Sequence, residues 1–154
     1  MTLLSLLAPE QIFGAAGTLA AIAWLALIAS PFKAPWSARV RWLAGRLVPL
    51  LLALVYVALF AVHGFGDGGY DSLAAVQRLL ARPELLTAAW LHFLAFDLFV
   101  GSWIAERGGQ IGLPHWLIVP LLVTTFWFGP AGLLAYAVVR PLWRPRRAAI
   151  AGAA

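Results

Sequence analysis

Asp97 lies in the middle of residues 85–104, a stretch otherwise apolar enough to cross a membrane. An ionisable side chain at that depth costs roughly 2.5 to 3.5 kcal/mol to insert, so its presence asks for a function. A carboxyl kept from water favours its neutral form, and a neutral acid can donate a proton to an oxygen of a membrane-dissolved substrate. His92 stands five residues earlier, which at about 100° per residue sets it about 140° around a helix from Asp97. The two either face different neighbours or flank a wide cavity. Trp90, Phe93, Leu94, Asp97 and Gly101 share one stripe, and Gly101 leaves room for a helix or a ligand to come close. His92 groups instead with Phe96, Phe99 and Trp103.

Further along, Glu106 and Arg107 precede the glycine-rich turn GGQIG, and Pro114 and His115 open the next apolar run. A histidine at a membrane border can exchange protons with water and reach inward. Thr124 and Thr125 bring hydroxyls to mid-membrane, although such groups commonly bond back to their own helix. Asp97, His92, His115 and Glu106 are therefore the candidate catalytic residues. Trp90, Phe93, Gly101, Thr124 and Trp127 are the candidate lining of a site for an apolar ligand, and Trp24 also lies deep enough to contribute. His63, His92 and His115 fall at unequal depths, which does not set up an axial pair for haem. The spacings HxxxH and ExxH are lacking, and neither a phosphate-binding glycine loop nor a serine nucleophile motif is present. No metal and no cofactor is expected, and the lack of cysteine removes thiolate and disulfide chemistry.

The elements that must position these groups follow from hydropathy. The chain of 154 residues is 63% hydrophobic and 11% charged, with a mean hydropathy of +0.89, which marks an integral membrane protein. Runs of about twenty apolar residues cover the hydrocarbon core. Four such runs appear, at residues 11–30, 42–62, 85–104 and 116–139. The last is interrupted by Pro120 and by Gly129 and Pro130, which predicts one bent crossing, with a re-entrant hairpin as the alternative. Between the second and third runs, Asp71 or Ser72 caps a short amphipathic helix over residues 72–81, with Leu73, Val76, Leu79 and Leu80 on its apolar face. The expected fold is all-α: one transmembrane domain of four membrane helices and an interfacial helix. It buries little surface and leaves room for a homo-oligomer.

The net charge of +5 comes from Lys33, Arg39, Arg41 and Arg46 after the first run and Arg140, Arg144, Arg146 and Arg147 after the fourth. Four crossings place these clusters on opposite sides, five Lys/Arg against six once Arg107, Arg78 and Arg82 are added, so the positive-inside rule does not fix an orientation. Basic residues pressed against a bilayer contact anionic lipid, not nucleic acid. Trp36, Trp42, Trp90, Trp103, Trp116 and Trp143 lie near run ends, as an aromatic belt requires. The residues before the first run lack a basic leader, so the segment is expected to stay as structure and not be removed as a signal peptide.

The segments WLHFLAFDLFVGSWIAE and GLPHWLIVPLLVTTFWFGPAGLLAYAVVR, with PEQIF before the first run, carry a resemblance. The chain resembles the family that includes the plant abscisic acid-deficient protein 4, a membrane protein associated with neoxanthin synthesis, and many bacterial homologues. The Ala, Arg and Gly richness resembles the bacterial members, which implies a bacterial inner membrane. The resemblance implies a partner of the carotenoid or isoprenoid class and an isomerisation of an epoxy-carotenoid to an allenic one, needing an acid, a base and an oily cavity. The functional expectation is such an isomerase, with Asp97 as acid and a histidine as base; the alternative is a non-catalytic isoprenoid- or lipid-binding protein or assembly factor.

Overall fold

Pro9 at the first helical position and Glu10 in the first turn both suit a helix N-terminus, and from there α1 runs over Pro9–Ile28. In the computed structural model, residues 8–143 are described; the N-terminal MTLLSLL and the cluster Arg144, Arg146 and Arg147 lie outside the described residues. A turn follows in which Ser37 Oγ donates to the Phe32 carbonyl at 2.8 Å. The chain then forms one long helix in three parts: α2 (Ser37–Trp42), a π-helical turn (Leu43–Leu47) and α3 (Val48–His63). Pro49 explains the widened turn, since it gives no N–H to the Gly45 carbonyl and its ring crowds that oxygen.

Ser72 caps α4 (Leu73–Leu80), its hydroxyl accepting from the Ala75 N–H at 3.1 Å. A short helix thus stands where one was expected over residues 72–81. It buries Ala75 and Leu79, whereas Leu73 stays 76% exposed. Pro83 opens α5 (Pro83–Gln110), whose 28 residues form the axis of the molecule. Leu85, Ala88, Leu91, Leu98 and Ile104 on it are fully buried. Then come α6 (His115–Phe128) and α7 (Pro130–Leu142).

Small residues on α5 set the order of its neighbours. Trp24 lies over Gly101 and Phe32 over Gly109, while Phe13 stacks on Trp90 at 5.3 Å, so α1 runs parallel to α5. On another side Ser102 fills the space left at Gly45, and Tyr56 meets His92 at 5.8 Å, so the long helix Ser37–His63 runs antiparallel. These three helices, Pro9–Ile28, Ser37–His63 and Pro83–Gln110, are long and apolar enough to cross a membrane.

The fourth expected crossing, residues 116–139, is instead two helices that reverse. Ile118 packs near Gly108, and eleven residues later Gly129 meets Asp97, so α6 descends against α5. Tyr136 then packs on Trp103 at 5.3 Å, so α7 climbs back beside α5. Gly129 makes the reversal with φ +40, a conformation that favours glycine. At 14 and 13 residues the arms are about 21 and 20 Å long and fall short of the roughly 30 Å core. Both ends of the hairpin lie at the same end of the bundle.

This reversal redistributes charge. Lys33, Arg39, Arg41, Arg46, Arg107 and Arg140 belong to one end of the bundle and Arg78 and Arg82 to the other, among the described residues. Among the described residues, the positive-inside rule now favours the six-residue end as the inner face. Because the chain has no cysteine, single cysteines report sidedness cleanly. Cysteines replacing Lys33 and Arg140 are expected to react with a membrane-impermeant maleimide from the same face, and one replacing Asp67 from the opposite face. Four crossings would pair Arg140 with Asp67.

Candidate functional site

Asp97 sits about halfway along α5, at the level where the hairpin turns. A Cβ built on Gly129 would lie 2.5 Å from Asp97 Oδ1 and 3.1 Å from its Cγ, so the carboxyl rests directly against the apex backbone. Glycine is required there twice, for the space and for the positive φ. The apex is held from behind: Gly132 lies on the Thr125 backbone, and the Gly129 N–H donates to the Thr125 carbonyl at 2.8 Å. Asp97 is half-buried, and none of the side-chain hydrogen bonds among the described residues engages it.

The reason that Asp97 is not closed off lies in the hairpin's length. Leu86, Trp90, Phe93 and Asp97 recur at spacings of four, three and four and share one face of α5. On the side of Asp97 toward Gln110, Gly101, Ile104 and Gly108 are buried beneath α1 and the hairpin. On the side toward Pro83 the hairpin has already turned back. Leu86 and Phe93 there are more than half exposed, and Trp127 and Phe128 at the apex are 70% exposed. Phe13 and Trp90 stack along the α1 edge. The result is an exposed aromatic face of α5 beside the hairpin apex, with the half-buried Asp97 carboxyl at its inner end.

His92 lies on the far edge of the same outward arc, as its angular offset from Asp97 predicts. Its ring is 4.6 Å from Phe96, 6.0 Å from Phe93 and 5.8 Å from Tyr56 of α3. It stays within coulombic reach of Asp97, with Phe93 and Phe96 between them. His115 does not join them: it opens α6 at the opposite end from Gly129, about 20 Å from the apex. Glu106 is also apart, nine residues along α5 beside Arg41. No three His, Asp or Glu residues come together to hold a metal ion among the described residues.

Of the expected lining residues, Trp90 and Phe93 share a face of α5 with Asp97, and Trp127 is exposed near the apex. Gly101 is filled by Trp24, which is 3% exposed and meets Phe126 edge-on at 5.6 Å, so both belong to helix packing. The Thr124 hydroxyl donates to the Pro120 carbonyl and that of Thr125 to Leu121, each at 2.8 Å. The sequence reading missed Gly129, Gly132, Phe13 and Leu86. The Gly129–Pro130 pair was the available signal, since it marks a break without giving its angle.

A family model described as ABA DEFICIENT 4-like matches residues 11–136. The chain belongs to the ABA DEFICIENT 4-like family. Its three long apolar helices agree with a membrane protein, and the matched residues take in the Asp97 stripe, the hairpin apex and Tyr136, the α7 residue that packs on α5. Comparison with curated proteins and comparison with solved structures gave no match. The ABA DEFICIENT 4-like assignment therefore rests on the family match over residues 11–136.

Proposed function

We propose that this protein is a cofactor-independent isomerase of an epoxy-carotenoid or a related isoprenoid, with Asp97 as its proton donor. The observation that carries the reading is a half-buried carboxyl midway along α5, without a side-chain hydrogen bond among the described residues and beside an exposed aromatic face, in a chain of the ABA DEFICIENT 4-like family, whose resemblance implies carotenoid chemistry. A polyene laid along Phe93 and Trp90 brings its ring epoxide to the carboxyl. Asp97 gives its proton to the epoxide oxygen, the carbon–oxygen bond breaks, and the proton on the adjacent polyene carbon leaves to a base, its electron pair completing an allene. His92, on the other flank of Phe93 and Phe96, is the base in this scheme. Substrate and product have the same mass, so no oxidant or reductant is consumed.

The test is expression in a host that accumulates a 5,6-epoxy-carotenoid, followed by pigment analysis. An allenic isomer of unchanged mass supports the reading; its absence, with the protein inserted, overturns it. A second reading has its own observation: His115 and Glu106 do not reach Asp97, and His92 is offset around the helix, so no base touches the carboxyl directly. A non-catalytic binder of the same ligand would co-purify with chemically unaltered pigment.

A further inference from the structure

The π-helical turn opens a second feature on α5, facing away from Asp97. Arg41, Arg46 and Arg107, with Glu106, Gln110 and Ser102, line a cavity of about 260 Å³ at the basic end of the bundle. It shares Gly45, Arg46 and Phe99 with an apolar cavity of about 410 Å³ that runs toward mid-membrane between α3 and α5. Pro49, Ala53 and Ala95 are small enough to leave this groove, and Leu50 and Phe96 form its exposed rims.

Three guanidinium groups meet one carboxylate, Glu106, at the mouth, which leaves it net positive. Arg41 lies 4.5 Å over the Phe32 ring, and its carbonyl accepts from Ser102 Oγ at 3.0 Å. Arg107 donates to Gln110 at 3.1 Å. A positive mouth continuous with an apolar trough is complementary to one kind of molecule, an anionic head on a hydrocarbon chain. The site also lies at the end carrying six of the eight described Lys and Arg residues, where attraction to a leaflet's anionic lipid is strongest.

We propose that this groove binds an anionic phospholipid, its phosphodiester held by Arg41, Arg46 and Arg107 and one acyl chain seated along Pro49, Ala53 and Ala95. Guanidinium suits this task because its planar fork offers paired donors to phosphate oxygens. The site stands apart from the Asp97 face and does not depend on the isomerase reading.

Native mass spectrometry of the full chain, titrated with phosphatidylglycerol, phosphatidylcholine and inorganic phosphate, tests it. Phosphatidylglycerol is expected to bind at least about tenfold more tightly than phosphatidylcholine. Arg46→Gln is expected to weaken it by about fivefold, and the triple Arg41→Gln, Arg46→Gln, Arg107→Gln variant by about a hundredfold, with phosphatidylcholine unaffected. Ala53→Trp, which fills the trough, is expected to weaken both lipids. Equal binding of the two lipids, or an Arg46→Gln variant that keeps full preference, overturns the headgroup assignment. Displacement of the lipid by inorganic phosphate alone, or unchanged binding in Ala53→Trp, overturns the acyl-chain assignment.

Discussion

Asp97→Asn is expected to lower conversion of an epoxy-carotenoid by about 10²- to 10⁴-fold, the range a positioned general acid supplies, while leaving the pigment bound. Asparagine keeps the size and planarity of the side chain, so it fits against Gly129 without new overlap. It carries no transferable carboxyl proton. Folding is not threatened, because the exchange removes an ionisable group from mid-membrane, where such a group is costly. Pigment analysis of the variant beside the native protein checks both halves. Equal conversion would remove Asp97 from the chemistry, and loss of bound pigment along with conversion would make it a binding residue instead.

Gly132→Val is the substitution expected to damage the structure most. A Cβ at residue 132 meets the Thr125 hydroxyl and, behind it, the backbone N and Cα of Thr125, each at 2.6 Å, so turning the side chain away does not make room. The two arms of the hairpin must separate to admit it. Overpacking of this kind costs about 1–3 kcal/mol or more, which for a chain of this size lowers the melting temperature by roughly 2–12 °C. Separation of the arms also lifts the apex from Asp97, so conversion is expected to fall with stability. Gly132→Ala is expected to show a smaller loss of both. A thermal melt in detergent measures the first effect, and a Gly132→Val melt matching the native one would show that the arms are not held together at this point.

Hydropathy made three crossings and α4 legible because length and apolarity alone decide whether a helix fits a bilayer. It also singled out Asp97, since a charge at mid-run needs nothing but position to be conspicuous. The angular offset of His92 followed from helix geometry and holds in the folded chain. The reversal at Gly129 was less accessible. A Gly-Pro pair permits a kink or a turn equally, and the choice rests on tertiary contacts, Gly132 against Thr125 and Gly129 against Asp97. That one undecided angle carried other misreadings with it. A fourth crossing sends Arg140 to the opposite side from Lys33, hides the exposed aromatic face, and leaves the balance of basic residues ambiguous. Trp24 illustrates a different limit: its depth was readable, but its role as the filler of Gly101 depends on the parallel pairing of α1 with α5. His115 failed for the same reason as the crossing, because its distance from the apex is the length of an arm.

To act as a proton donor, the Asp97 carboxyl must be within reach of a molecule dissolved in the bilayer. A hydrophobic carbodiimide, which partitions into the membrane and modifies carboxylic acids there, measures this directly when the labelled protein is digested and mapped by mass spectrometry. Asp97 is predicted to be modified in the native protein, with protection by saturating epoxy-carotenoid. Modification of other carboxyls while Asp97 stays untouched would contradict an accessible carboxyl at the hairpin apex.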